Sequence, residues 1–89
     1  MKVLIFTAVW CPSCILMKLR WEKISPVYPW LETINYDYDL DAEMVKKYNI
    51  SKDIPVFIFL NETGDEFRRL TGETDKKDLI KLIEENQNK

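Results

Sequence analysis

Apolar residues change their spacing from segment to segment along this chain, and each spacing predicts an element. Val3 to Phe6 is apolar at consecutive positions, the mark of a short strand covered on both faces. From Cys11 to about Ile24 the residues Cys14, Met17, Trp21 and Ile24 recur every three or four positions, with Leu16 and Leu19 beside them. Lys18, Arg20, Glu22 and Lys23 fall on the other side, which predicts a helix with a core-facing stripe and a solvated back. Pro12 fits the first helical turn, where a missing N–H costs nothing, and Pro26 is placed to stop the helix. Leu31 to Tyr36 predicts a second strand. An aspartate of the run Asp37 to Asp41 then caps a short helix with Met44, Val45 and Tyr48 on one face. Pro55 to Leu60 predicts a third strand, Asn61-Glu62-Thr63-Gly64 has hairpin-turn composition, and Glu66 to Thr71 completes the pair before Gly72. Leu79, Ile80, Leu82 and Ile83 predict a last helix from about Asp75 to Asn86, with 84–89 as a fraying polar tail.

The order β-α-β-α-β-β-α sets the fold class. Strands separated by helices pair in parallel through right-handed crossovers, and the last two form an antiparallel hairpin. The expectation is an α/β protein with one four-stranded mixed sheet flanked by three helices. Its 89 residues suit one domain over 1–89, without repeat or linker. The loop holding Cys11 leaves the first strand at its C-terminal edge, where α/β folds place their sites.

Composition removes whole classes of chemistry. There is no histidine, so Cys-His and Ser-His-Asp hydrolases and most catalytic zinc sites drop out. A net charge of -2 gives no pull toward phosphates, and nucleic acid is not an expected partner. The apolar run after Lys2 is broken by Trp10-Cys11-Pro12 too early for a secretory leader, and no stretch approaches the roughly 18 apolar residues of a membrane span. These points predict a cytoplasmic monomer with no membrane partner. Asp37 to Asp41 has some of the spacing of a calcium loop, but Ala42 stands where glycine is needed and Tyr48 where the bidentate glutamate belongs. Trp21 and Trp30 read as core or covering residues and Trp10 as working surface. Lys46-Lys47 and Lys76-Lys77 read as solvated helix faces.

Two cysteines without a leader are reactive thiols rather than a disulfide framework. Trp10-Cys11-Pro12-Ser13-Cys14 lies between a predicted strand and a predicted helix, the setting of a redox Cys-x-x-Cys pair. Three positions along a helix bring both sulfurs to one face, so a disulfide can open and close there. Cys11 meets the orphan N–H groups and the positive end of the helix dipole. These favour a thiolate and lower its pKa from about 8.5 toward roughly 7, which makes Cys11 the attacking sulfur and Cys14 the resolving one.

The chain resembles the thioredoxin family. Phe6, Ala8-Val9-Trp10-Cys11, Cys14, Asn35-Tyr36-Asp37, Tyr48-Asn49-Ile50, Ile54-Pro55 and Gly72 fall in that family's order over nearly the whole chain. The resemblance implies a thioredoxin-like fold and a thiol:disulfide oxidoreductase that reduces protein disulfides. It implies no bound cofactor beyond a reversible Cys11–Cys14 disulfide, and recharging by a flavin-dependent reductase of the thioredoxin reductase kind. It also implies a cis Ile54-Pro55 bond that presents the backbone of Ile54 to an extended substrate. Trp10, Pro12, Ser13, Ile54, Pro55 and Gly72 would then line the substrate site. Four departures stand out. The family's first strand and helix are absent, giving a glutaredoxin-sized form. Pro12-Ser13 replaces the usual Gly-Pro, and Ser13 is able to donate toward Cys11. Ile5 stands at the place of the buried aspartate, with Thr33 at the neighbouring lysine's place, so water or the departing thiolate has to take the proton of Cys14. Ile15 replaces a frequent lysine and leaves an apolar spot beside the disulfide. The alternatives are a glutaredoxin-like reductase recharged by glutathione, disfavoured by Ile54-Pro55-Val56 and the single Gly72, and a module that carries copper(I) or zinc on the two thiolates.

Overall fold

The computed structural model describes residues 1–88. Strand β1 (Lys2–Thr7) is followed by helix α1 (Pro12–Ile24), a 3-10 turn (Ser25–Val27), β2 (Glu32–Asp37), α2 (Ala42–Lys47), β3 (Val56–Leu60), β4 (Glu66–Thr71) and α3 (Lys76–Glu85). The sheet order is β2-β1-β3-β4. β1 and β2 run parallel, with Val3 opposite Thr33 and Phe6 opposite Tyr36. β3 is antiparallel to β1, with Val3 opposite Phe59, and to β4, with Phe57 opposite Leu70. The mixed four-stranded sheet with three helices is the architecture expected from the spacing of apolar residues.

Strand alternation divides the core in two. Val3, Ile5, Phe57 and Phe59 point to one face, where Met17, Trp21 and Ile24 of α1 and Leu79 and Ile83 of α3 bury them. Leu4, Phe6, Val56, Ile58 and Leu60 point to the other, together with Ala8, Cys11, Cys14, Ile50 and Ile54. β3 is buried at all five positions because it lies between two strands and both of its faces are covered.

Several boundaries differ from the sequence reading, each for a local reason. Cys11 is the N-cap of α1 in extended backbone, so the helix proper begins at Pro12. α1 ends at Ile24, two residues before Pro26 as expected, but the chain continues into a 3-10 turn in which the fixed φ of Pro26 is tolerated. Asp41 takes the N-cap position of α2 without capping it; its carboxylate accepts the Asp37 N–H at 2.7 Å instead. Trp21 is core and Trp30 is 42% exposed, edge-on to Tyr28 at 5.6 Å. Leu16 and Leu19 of α1 are also exposed. Glu84 and Glu85 belong to the last turn of α3 rather than to a tail: Glu84 accepts the Tyr28 hydroxyl at 2.8 Å, and the Asn86 amide donates to the Leu82 carbonyl at 2.8 Å. Lys89, the end of that proposed tail, lies outside the described residues.

Candidate functional site

The site forms where β1 ends. Thr7 is the last residue of the strand, and its carbonyl accepts the Tyr38 N–H at 2.7 Å, which ties the two loops leaving β1 and β2 together. The Cys11 N–H donates back to the Ala8 carbonyl at 3.2 Å, so residues 8–11 form a tight turn that delivers Cys11 to the start of α1. Cys11 and Cys14 are joined as a disulfide with Cα atoms 5.3 Å apart. Both are buried, and they pack in the same cluster as Phe6, Val56 and Ile58. The disulfide is therefore part of the core of one sheet face and not an appendage.

Two backbone groups face the Cys11 sulfur. The Cys14 N–H donates to it at 3.2 Å, one of the orphan helix donors described by the capping geometry. The Ile54 carbonyl oxygen lies 3.6 Å away. The Ile54-Pro55 peptide bond is cis. Of the backbone groups of Ile54 only the carbonyl faces the sulfur, because the Ile54 N–H is already bonded to the Lys52 carbonyl at 2.9 Å. Gly72, with φ 87°, donates its N–H to the Pro55 carbonyl at 2.7 Å, so the turn after β4 rests directly on this segment. Ser13 makes no bond to Cys11 among the described residues; the sulfur's acceptor position is filled by the Cys14 amide. Pro12 is exposed at the first turn of α1.

Trp10 is 52% exposed and held in place. Its indole N–H donates to Asp39 Oδ2 at 2.8 Å, and its ring meets Tyr38 edge-on at 6.2 Å. Asp39 is presented by a turn in which Asp37 Oδ1 accepts the N–H groups of Asp39 at 2.8 Å and Leu40 at 3.0 Å. The acidic run thus works as a hydrogen-bonded turn that orients the tryptophan. The sequence reading took that run as a helix cap and weighed it as a cation loop, and missed the bond of Asp39 to Trp10. A short Asx-rich stretch straight after a strand is the signal that was available.

Beside Cys14 lies a recess of about 290 Å³ lined by Thr7, Val9, Cys14, Ile15, Lys18 and Asp37 among others. Ile5 is buried and apolar, and the ionisable side chains lining the recess are Lys18 and Asp37. Val9, Ile15 and Leu40 are strongly exposed apolar residues next to these groups in the chain. No cluster of three or more potential metal ligands occurs among the described residues. Two thiolates alone fall short of the four ligands of a closed zinc site. No described helix is long and apolar enough to cross a membrane.

A family model described as Thioredoxin matches residues 1–85. Thioredoxin H7 of Arabidopsis thaliana is 31% identical over 85 residues, which cover 96% of this chain and 64% of that protein. Thioredoxin H5 of Oryza sativa subsp. japonica is 31% identical over 70 residues, 79% of this chain and 50% of that one. The chain thus spans about half to two thirds of the length of these curated relatives. Among solved structures, thioredoxin-2 of a malaria parasite superposes with a TM-score of 0.87 at 26% identity, covering 96% of this chain and 82% of that one.

Proposed function

The chain belongs to the thioredoxin family, and from that premise we propose that it reduces protein disulfides by dithiol exchange, with Cys11 attacking and Cys14 resolving. The observation that carries the reading is the placement of Cys11. Its sulfur caps α1, accepts the Cys14 N–H at 3.2 Å and faces the Ile54 carbonyl at 3.6 Å. A helix N-terminus supplies partial positive charge and free donors, both of which stabilise a thiolate over a thiol.

The reaction starts from the dithiol. The Cys11 thiolate attacks one sulfur of a substrate disulfide; a Cys11–substrate disulfide forms, and the other substrate sulfur leaves as a thiolate that takes up a proton. Cys14 then loses its proton to water or to that thiolate and attacks the Cys11 sulfur. The Cys11–Cys14 disulfide closes, and the second substrate thiolate departs. Two electrons have passed from the protein to the substrate. Trp10, Pro12, Ser13 and Gly72 line the site that receives the substrate segment, over the buried Ile54 and Pro55, with the Ile54 carbonyl as its backbone acceptor. A flavin-dependent reductase restores the dithiol, in a reducing cytoplasmic compartment where a free pair persists.

Insulin-disulfide reduction tests the proposal, coupled in one arm to thioredoxin reductase with NADPH and in another to glutathione with its reductase. Turnover in the first arm is expected. Turnover with glutathione alone would transfer the chain to the glutathione-dependent class, and turnover in neither arm with tight zinc or copper(I) binding would make it a metal carrier. Cys11→Ser abolishes turnover, and Cys14→Ser accumulates a covalent adduct on Cys11; accumulation on the other sulfur would reverse the roles.

A further inference from the structure

The helical periodicity puts Arg20 on the solvated side of α1, yet its side chain is only 24% exposed and folds across the loop that follows β4. Nη1 donates to the Thr74 carbonyl at 2.8 Å and lies 3.5 Å from Met17 Sδ, while Nη2 meets Glu73 Oε1 at 3.3 Å. Met17 Sδ in turn accepts the Thr74 N–H at 3.4 Å. Both backbone groups of Thr74 are therefore bonded to side chains of α1. Two residues earlier, Gly72 holds the Pro55 carbonyl, and the Ile54 carbonyl faces the Cys11 sulfur that caps α1. The contacts form a closed circuit that leaves α1 at Arg20 and returns to it at Cys11.

We propose that Arg20 is a positioning residue that clamps the Gly72-Glu73-Thr74 loop against the Ile54-Pro55 segment and so fixes the groove a protein disulfide must enter. It touches no reacting atom. The proposal rests on the reading of Cys11 as the attacking sulfur. The bond from a guanidinium to a buried-side carbonyl is charge-assisted and stronger than a neutral one. The exposed pair with Glu73 is screened by solvent and contributes little, so the Thr74 carbonyl is the contact that matters. A planar fork reaches carbonyl and carboxylate together, which a lysine cannot do. A small alkylating reagent meets Cys11 without using the groove, whereas an extended segment needs the groove walls in register.

The test compares Arg20→Met, Arg20→Lys and Glu73→Gln in the full chain. Three quantities are read: iodoacetamide alkylation of reduced Cys11, kcat and KM for insulin with thioredoxin reductase, and hydrogen exchange of the Gly72 amide. For Arg20→Met the alkylation rate and kcat stay within about twofold while KM rises about fivefold. Gly72 exchange quickens about tenfold as the loop loses its clamp. Arg20→Lys recovers about half of the KM effect, and Glu73→Gln moves KM by less than about twofold. Unchanged Gly72 exchange in Arg20→Met overturns the clamp. Unchanged KM, or a parallel fall in alkylation and kcat, overturns its role in the groove. If wild-type protein fails to reduce insulin, the functional reading falls, and the exchange measurement still decides whether the clamp exists.

Discussion

The two faces of the sheet are covered differently. On one, two helices of 13 and 10 residues seal Phe57, Phe59, Val3 and Ile5 under Trp21, Ile24, Leu79 and Ile83. On the other, the six-residue α2 supplies only Met44 and Val45, and the cover is completed by tyrosines 36, 38 and 48 and by the disulfide itself. α1 joins the two, because Cys14 belongs to the second cluster and Met17, Trp21 and Ile24 to the first. The heavily covered face is architecture. The lightly covered face holds the disulfide, and the exchange proposed above needs sulfurs that do not lie under a long helix.

Substitutions on matched positions of the two faces sharpen or break that contrast. Phe57→Ala is expected to cost about 3–5 kcal/mol of stability, as large-to-small changes at sealed sites do, with Cys11 alkylation in the folded protein unchanged. Phe6→Ala, on the other face, removes a ring stacked on Tyr36 at 5.2 Å and near Tyr48 at 6.1 Å. It is expected to destabilise by a similar amount and also to change Cys11 alkylation by more than about threefold, because the packing under the disulfide goes with it. Denaturant titrations read the first effect and iodoacetamide kinetics the second; equal alkylation in both variants would dissolve the contrast. Next in size is Asp37→Ala, which leaves the exposed N–H groups of Asp39 and Leu40 to water and is expected to cost about 1 kcal/mol by thermal unfolding. Asp39→Ala frees the indole of Trp10 and is expected to raise KM for insulin about threefold with little loss of stability.

The smallest effect lies at the sheet rim. The Arg69 guanidinium bonded to Glu66 holds that carboxyl below its usual value, and Glu66 raises Arg69 in return. A carboxylate depressed in the folded state adds stability above its unfolded pKa, and that stability fades as the pH falls through the folded value. Both side chains are about a third exposed, so the contribution is at most about 0.5 kcal/mol after solvent screening. The difference in Tm between wild type and Glu66→Gln is accordingly expected near neutral pH and to vanish in acid below the ordinary glutamate range of about 4.3. A gap that persists there would show that the charge on Glu66 is not its source, since Glu66→Gln leaves the 2.8 Å bond from Arg69 to the Tyr48 carbonyl in place.

Much of this was legible in the chain because unbroken apolar runs and period-three-to-four spacing report burial directly: Val3 to Phe6, Val56 to Leu60 and Met17-Trp21-Ile24 all lie where their pattern puts them. The position of Cys11 before a helix was legible for the same reason. What remained hidden were side chains whose roles are set by a distant partner. Arg20 has the spacing of a solvated residue, and only the folded loop at Thr74, 54 positions away, supplies the carbonyl that draws it in. Asp41 has the composition of a cap but serves Asp37. Ile54 carries a free carbonyl and an engaged N–H, a distinction that depends on Lys52 and not on residue type.

β4 has one neighbour, β3, and its ladder slips at Phe59/Leu60. Glu66, Arg68 and Arg69 stand along that strand, and an irregular, charged margin is a poor template for strand addition by another molecule. The fully apolar strand Val56-Phe57-Ile58-Phe59-Leu60 thus sits one ladder in from a border that discourages fibril growth on this side of the sheet.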